Sequence, residues 1–115
     1  MLILVLDDDA ETRRTLVEQL GRLFPRARVV AAATDAGLEA IEDAGQSVVL
    51  TGLPVAERIG RRRRLPGLRV VALTREMGPD TLMKAEAAGV FATLRAPASA
   101  EGLRTVLGAI VGETG

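Results

Sequence analysis

The chain has 115 residues, 48% of them hydrophobic, and 15 basic residues balance 15 acidic ones. That composition suits one packed domain and excludes global disorder, and the charge balance gives no electrostatic case for nucleic acid as a direct partner. Cysteine and histidine are both absent, which excludes disulfides, thiol chemistry, Cys-based zinc sites and the commonest general base.

Phe24 and Phe91 are the only aromatic residues, too few for a base- or sugar-stacking surface. No apolar run approaches the roughly 20 residues of a membrane span, and Met1 leads into a core strand instead of a charged leader segment. A cytoplasmic domain of bacterial type, without membrane attachment, is the expectation.

Leu2-Ile3-Leu4-Val5-Leu6 is continuously apolar and runs into Asp7-Asp8-Asp9. A short apolar run without alternation reads as a strand buried on both faces. Its carboxyl end, where open α/β sheets bind ligands, then carries three carboxylates that repel one another. Asp8 or Asp9 caps a helix over Ala10–Leu23, and Glu11 three residues after Asp8 resembles a capping box. Leu16, Val17, Leu20, Leu23 and Phe24 form the buried stripe of that helix, and Pro25 ends it.

Residues 28–33 read as a second strand. Thr34 or Asp35 caps a second helix with Leu38, Ala40 and Ile41 inward, Asp43 within it and Gly45 as its stop. Residues 47–51 form a third strand around Val48-Val49-Leu50, followed by a Gly52-Leu53-Pro54 turn and a third helix over 55–64. The arginines at 61–64 close that helix, where cations suit its dipole. Pro66-Gly67 breaks the chain before a fourth strand, 68–73, which ends at Thr74.

A fourth helix spans 78–88, with Leu82, Met83, Ala85 and Ala87 available for packing, and Gly89 closes it. Residues 90–94 form a fifth strand. Ser99 caps a fifth helix with Leu103, Val106, Leu107 and Ile110 inward, and 112–115 fray. Five buried strands alternating with five helices call for a parallel sheet with right-handed crossovers. No repeat or interdomain linker interrupts residues 1–115, which read as a single domain. The ending Gly112-Glu113-Thr114-Gly115 would suit the start of a linker to a DNA-binding or catalytic domain.

The motifs in this order resemble the receiver domain of two-component response regulators. ILVLDDD lies at the first strand, VVLTGLP at the third, VVALT at the fourth and AAGVFATLRAP around the fifth. The resemblance covers Leu2 to about Val111 and implies a flavodoxin-like (CheY-like) fold, a five-stranded parallel sheet of order 2-1-3-4-5 with five helices. It also implies an acid pair that helps hold Mg²⁺, matched by Asp7 and Asp8, and a hydroxyl that contacts a phosphoryl group, matched by Thr74. Structural roles remain open beside these, with Asp8 as a helix cap and Thr74 as a turn residue.

Other family positions depart from the pattern. The phosphate-accepting Asp lies four residues before the Pro of the turn after the third strand, which here is Leu50, or Thr51 if the turn is one residue shorter. No Asp or Glu lies between Asp43 and Glu57. The family's Lys before Pro falls on Ala96, and Arg95 sits one residue early, where a strand sends its side chain to the opposite face. The switch aromatic falls on Thr93, with Phe91 two residues earlier.

The expected function is therefore a pseudo-receiver. It would be a non-enzymatic, phosphorylation-independent interaction or regulatory module in two-component or phosphorelay-type signalling, requiring no cofactor and binding Mg²⁺ weakly at most. Its partner would be a kinase, a regulator or a fused output domain, met on the face of the fourth helix, fifth strand and fifth helix. A homodimer could form through the same face. Two alternatives are a receiver phosphorylated unconventionally on Thr51 and a flavodoxin-like domain that binds a small ligand. The second lacks a Gly-rich phosphate loop, since Gly52 stands alone.

Overall fold

A computed structural model describes residues 1–41, 45–62 and 67–114. The continuous apolar runs form the inner strands of one parallel sheet: β1 (Leu2–Leu6), β2 (Arg28–Ala32), β3 (Ser47–Gly52), β4 (Leu68–Thr74) and β5 (Ala92–Arg95). Their order is β2-β1-β3-β4-β5, with every neighbouring pair parallel, as expected for this fold class. β1 is buried along its whole length, and β3 is buried up to Thr51. That is the reason these two strands carry no polar alternation.

Helices cover both faces of the sheet. On one face α1 (Ala10–Leu23) and α4 (Ala100–Thr114) bring Leu16, Leu20, Leu103, Leu107 and Ile110 against Ile3, Val5, Val48, Leu50 and Val71. On the other lie a 3₁₀ segment (Asp35–Ile41), α2 (Leu53–Arg62) and α3 (Pro79–Ala87). Leu38, Ile41 and Ile59 meet Leu2, Leu4, Leu6 and Val49 on this side. A smaller cluster of Leu53, Ala56, Ala72 and Ala85 joins α2, β4 and α3.

Several boundaries differ from expectation. The second helix is 3₁₀, in which i and i+3 share a face. Leu38 and Ile41 are buried at that spacing, while Ala40 is exposed. A Cβ on Gly37 would collide with the Ala32 side chain, so this segment lies tight against the end of β2. α2 starts at Leu53, directly after Gly52, with no turn between strand and helix. Leu53, Ala56 and Ile59 form its buried stripe.

β5 starts two residues later than expected, and Phe91, ahead of the strand, donates its N–H to the Val70 carbonyl of β4 at 2.8 Å. In α3, Ala85 is buried, but Leu82, Met83 and Ala87 are exposed. α4 continues to Thr114 where fraying was expected from Gly112. Gly89, at φ +75°, closes α3 in the left-handed conformation that favours glycine. Asp43, Arg63 and Arg64 lie outside the described residues. No helix among the described residues is long and apolar enough to cross a membrane.

Candidate functional site

The carboxyl ends of β1, β3 and β4 converge on a cavity of about 560 Å³ whose lining includes Asp7, Asp8, Asp9, Gly52, Thr74 and Ala96. The structure thus brings together four of the residues singled out by sequence: Asp7, Asp8, Thr74 and Ala96. Leu50, Thr51, Thr93 and Arg95 are not in that lining.

The pleat explains the absence of Leu50 and Thr51. Leu6 pairs with Thr51, and successive residues of β3 face opposite sides of the sheet. Val48 and Leu50 point into the core beneath α1 and α4, where Leu50 is wholly buried. Val49 faces the other side, and Thr51, two residues on, shares it. Gly52 alone represents β3 in the cavity lining. Counting four residues back from Pro54 assumes an intervening turn. Here Pro54 is the second residue of α2, and the count lands inside the core.

Asp7, Asp8 and Asp9 do different work. Asp7 Oδ1 accepts the N–H of Asp9 at 2.8 Å, and the Asp7 carbonyl accepts from Arg13 Nη1 at 2.7 Å. Asp9, not Asp8, is the cap of α1: its Oδ2 accepts the Thr12 N–H at 3.0 Å and the Thr12 hydroxyl. The Thr12 hydroxyl and N–H hold the Asp9 carboxyl below its ordinary pKa, with a smaller contribution from the Arg13 charge. Asp8 is exposed and carries no hydrogen bond or ion pair among the described residues.

At β4 the Thr74 hydroxyl donates to the Glu76 carbonyl at 3.1 Å and accepts the Glu76 N–H at 3.2 Å, closing a local turn. Ala96 is half-buried and follows β5 at a cis Ala96–Pro97 bond. Arg95 is exposed. Thr93 pairs with Ala72 within β5. Phe91 is 39% exposed, with the Arg69 guanidinium 5.9 Å from its ring centroid.

A magnesium ion asks for hard oxygen ligands in near-octahedral geometry. Asp9 is committed to the helix cap, and Gly52 offers no side-chain oxygen. No group of three His, Cys, Asp or Glu among the described residues is placed to hold a metal ion. The donor set does not fit a site built on three carboxylates.

Sequence reasoning missed Gly52 and the exposed Arg75, both of which line the cavity. Register against β1 would have found Gly52, since it follows the residue paired with Leu6. Asp35, expected as a candidate helix cap, also sits at this edge. It opens the 3₁₀ segment just past β2 and forms a 3.0 Å ion pair with Arg58 of α2, beside a second cavity at the same edge.

Comparisons with protein-family models and with curated proteins find no match. Solved structures do match over nearly the whole chain. One is named as a pilus assembly protein (CpaE) of Burkholderia thailandensis, with TM-score 0.79, 23% identity and coverage of 97% of this chain and 98% of that one. The signal receiver domain of a DNA-binding response regulator (MerR) from Colwellia psychrerythraea has TM-score 0.79 and 21% identity, covering 97% and 98%. The chemotaxis protein CheY4 of Vibrio cholerae has TM-score 0.75 and 18% identity, covering 95% and 97%. At these identities the likeness establishes the fold: a flavodoxin-like sandwich of the CheY type, shared with response-regulator receiver domains.

Proposed function

We propose that this domain is a pseudo-receiver, a receiver-like module whose state is set by partner binding and not by phosphorylation of an Asp. The observation that carries the reading is the chemistry of the cavity wall. β3 contributes Gly52 and the β5 end contributes Ala96. The first has no carboxylate to attack phosphorus, and the second has no ammonium to neutralise a bound phosphoryl group. Losing one of these leaves a neighbour to compensate, whereas losing both removes the covalent bond and its counter-charge together.

Asp7, Asp8 and Thr74 keep the family's residue types, but Asp7 and Thr74 also serve the fold through local hydrogen bonds. Thr51 is an unsuitable acceptor because it is wholly buried and faces away from this cavity. Mg²⁺ binds weakly on this reading, and the domain catalyses no reaction of its own.

Signalling then depends on a partner with different affinities for two conformers of the domain. The face of α3, β5 and α4 is the proposed partner surface, for a kinase, a regulator, a fused output domain or a second copy. Leu82 and Met83 on α3 are 44% and 68% exposed, and Phe91 lies just before β5. Aromatic residues and Met are enriched where proteins meet.

The test is incubation of the purified domain with acetyl phosphate and Mg²⁺, followed by intact-mass measurement beside a phosphorylatable receiver. The expected outcome is no added phosphoryl group. A stoichiometric adduct mapped to any Asp and removed by hydroxylamine returns the domain to ordinary receivers.

A further inference from the structure

A second cavity, of about 710 Å³, adjoins the acidic cavity already described, shares Asp7, Asp8 and Gly52 with it, and extends among β1, the 3₁₀ segment and α2. That volume falls in the range of metabolite sites. Its lining includes Asp7, Asp8, Asp35, Thr51 and Arg58, together with the apolar surfaces of Pro54 and Val55. Thr51 is wholly buried, and its Oγ1 has no hydrogen-bond partner. Every other β3 residue facing the interior between Ser47 and Gly52 is apolar. Valine would occupy the volume of Thr51 on a strand without burying an unpaired hydroxyl, so the hydroxyl calls for a partner.

The charge of the cavity indicates which partner. Three carboxylates face one guanidinium, and Arg58 is already bound to Asp35 through Nη2 and Nε at 3.0 and 3.4 Å. Asp8 carries no hydrogen bond or ion pair among the described residues. An anion would meet repulsion here, and a cation finds Asp7 and Asp8 uncompensated.

We propose that this cavity binds a small aliphatic amine, with an ammonium between Asp7 and Asp8, methylenes against Pro54 and Val55, and a second amino group at the Thr51 hydroxyl. The Asp35–Arg58 pair is exposed on both sides, at 36% and 44%. Such a pair is weak, so an incoming ammonium can compete with Arg58 for Asp35 in the cavity that Thr51 also lines. The site shares Asp7 and Asp8 with the acidic cavity but needs no phosphate acceptor, so its test stands apart from the phosphorylation experiment.

The experiment is a titration of the domain with putrescine, followed by amide chemical shifts in two-dimensional NMR, with Thr51→Val and Asp8→Asn variants in parallel. Expected are saturable shifts at Leu6, Asp8, Thr34, Thr51 and Val55, affinity reduced about fivefold or more in each variant, and a Thr51→Val melting temperature equal to or above wild type. Asp8 is exposed, so Asp8→Asn tests the site even if Thr51→Val does not fold. The proposal is overturned by an absence of saturable shifts, by shifts centred on Thr12 and Thr74, by unchanged affinity in Asp8→Asn, or by a Thr51→Val protein that binds putrescine as tightly as wild type.

Discussion

The carboxylate of Asp9 closes the N-terminus of α1 by taking both the N–H and the hydroxyl of Thr12. Folding therefore lowers its pKa. A carboxyl whose folded pKa is depressed contributes stability that is fully present above its unfolded pKa and is lost as pH falls through the folded value. Asp9→Asn keeps an acceptor oxygen but removes the titration. Its melting temperature should fall less than that of wild type between pH 6 and pH 3, while Asp9→Ala should melt lower at neutral pH. Parallel slopes for wild type and Asp9→Asn across thermal melts would remove Asp9 from the acid response.

Gly52 and Leu50 separate two ways of restoring an acceptor. A Cβ on Gly52 would meet only Pro54 Cδ, at 3.9 Å. Gly52→Asp should fold, and with Ala96→Lys it should label with acetyl phosphate better than it does alone. Leu50→Asp puts a carboxylate into a fully buried position and should lose on the order of 3–5 kcal/mol. Urea denaturation and intact mass measure both. Labelling of Leu50→Asp at wild-type stability would show that the pleat assignment is wrong. The residue types of the edge were legible in sequence. Which β3 residue faces the cavity was not, because it depends on register and on the missing turn before α2.

At the scale of elements, β1 and β3 were legible because continuous burial leaves an unbroken apolar run. α1 was legible through its buried Leu16 and Leu20 and its acidic cap. The 3₁₀ segment was not, since Leu38 and Ile41 suit α and 3₁₀ spacing alike. α3 misled in another way: Leu82 and Met83 are apolar yet exposed, and composition alone cannot distinguish a core face from an uncovered one. Gly60 determines how closely α2 approaches the end of α3. A Cβ there would collide with the Ala88 carbonyl, which is backbone and cannot rotate away. Gly60→Ala must push the two helices apart and should cost about 1–3 kcal/mol, despite alanine's better helix propensity. Equilibrium urea unfolding measures this, and a stabilised Gly60→Ala protein would mean that the helices separate without loss.

For the whole molecule, the order β2-β1-β3-β4-β5 brings three strand ends to one edge, so what binds there is linked to global stability. A ligand that binds only the folded state adds RT ln(1 + [L]/Kd) to the unfolding free energy. A receiver edge with a micromolar Mg²⁺ site would gain about 4 kcal/mol at 1 mM Mg²⁺. For a domain of this size that raises the melting temperature by well over about 10 °C. With Gly52 in the lining and Asp9 held by Thr12, Asp7 and Asp8 are the carboxylates at the β1 end left to meet the ion. We expect a dissociation constant of tens of millimolar, for which 1 mM Mg²⁺ contributes less than about 0.1 kcal/mol. Melting curves with 1 mM MgCl₂ and with an NaCl control of equal ionic strength should therefore coincide, because screening of surface charge is matched in the two. The Gly52→Asp protein should separate the two curves, since it adds the missing carboxylate. A Mg²⁺-specific rise of several degrees in wild type would show that Asp7 and Asp8 suffice for the ion, and the weak-binding expectation would fail whatever the phosphorylation experiment returned.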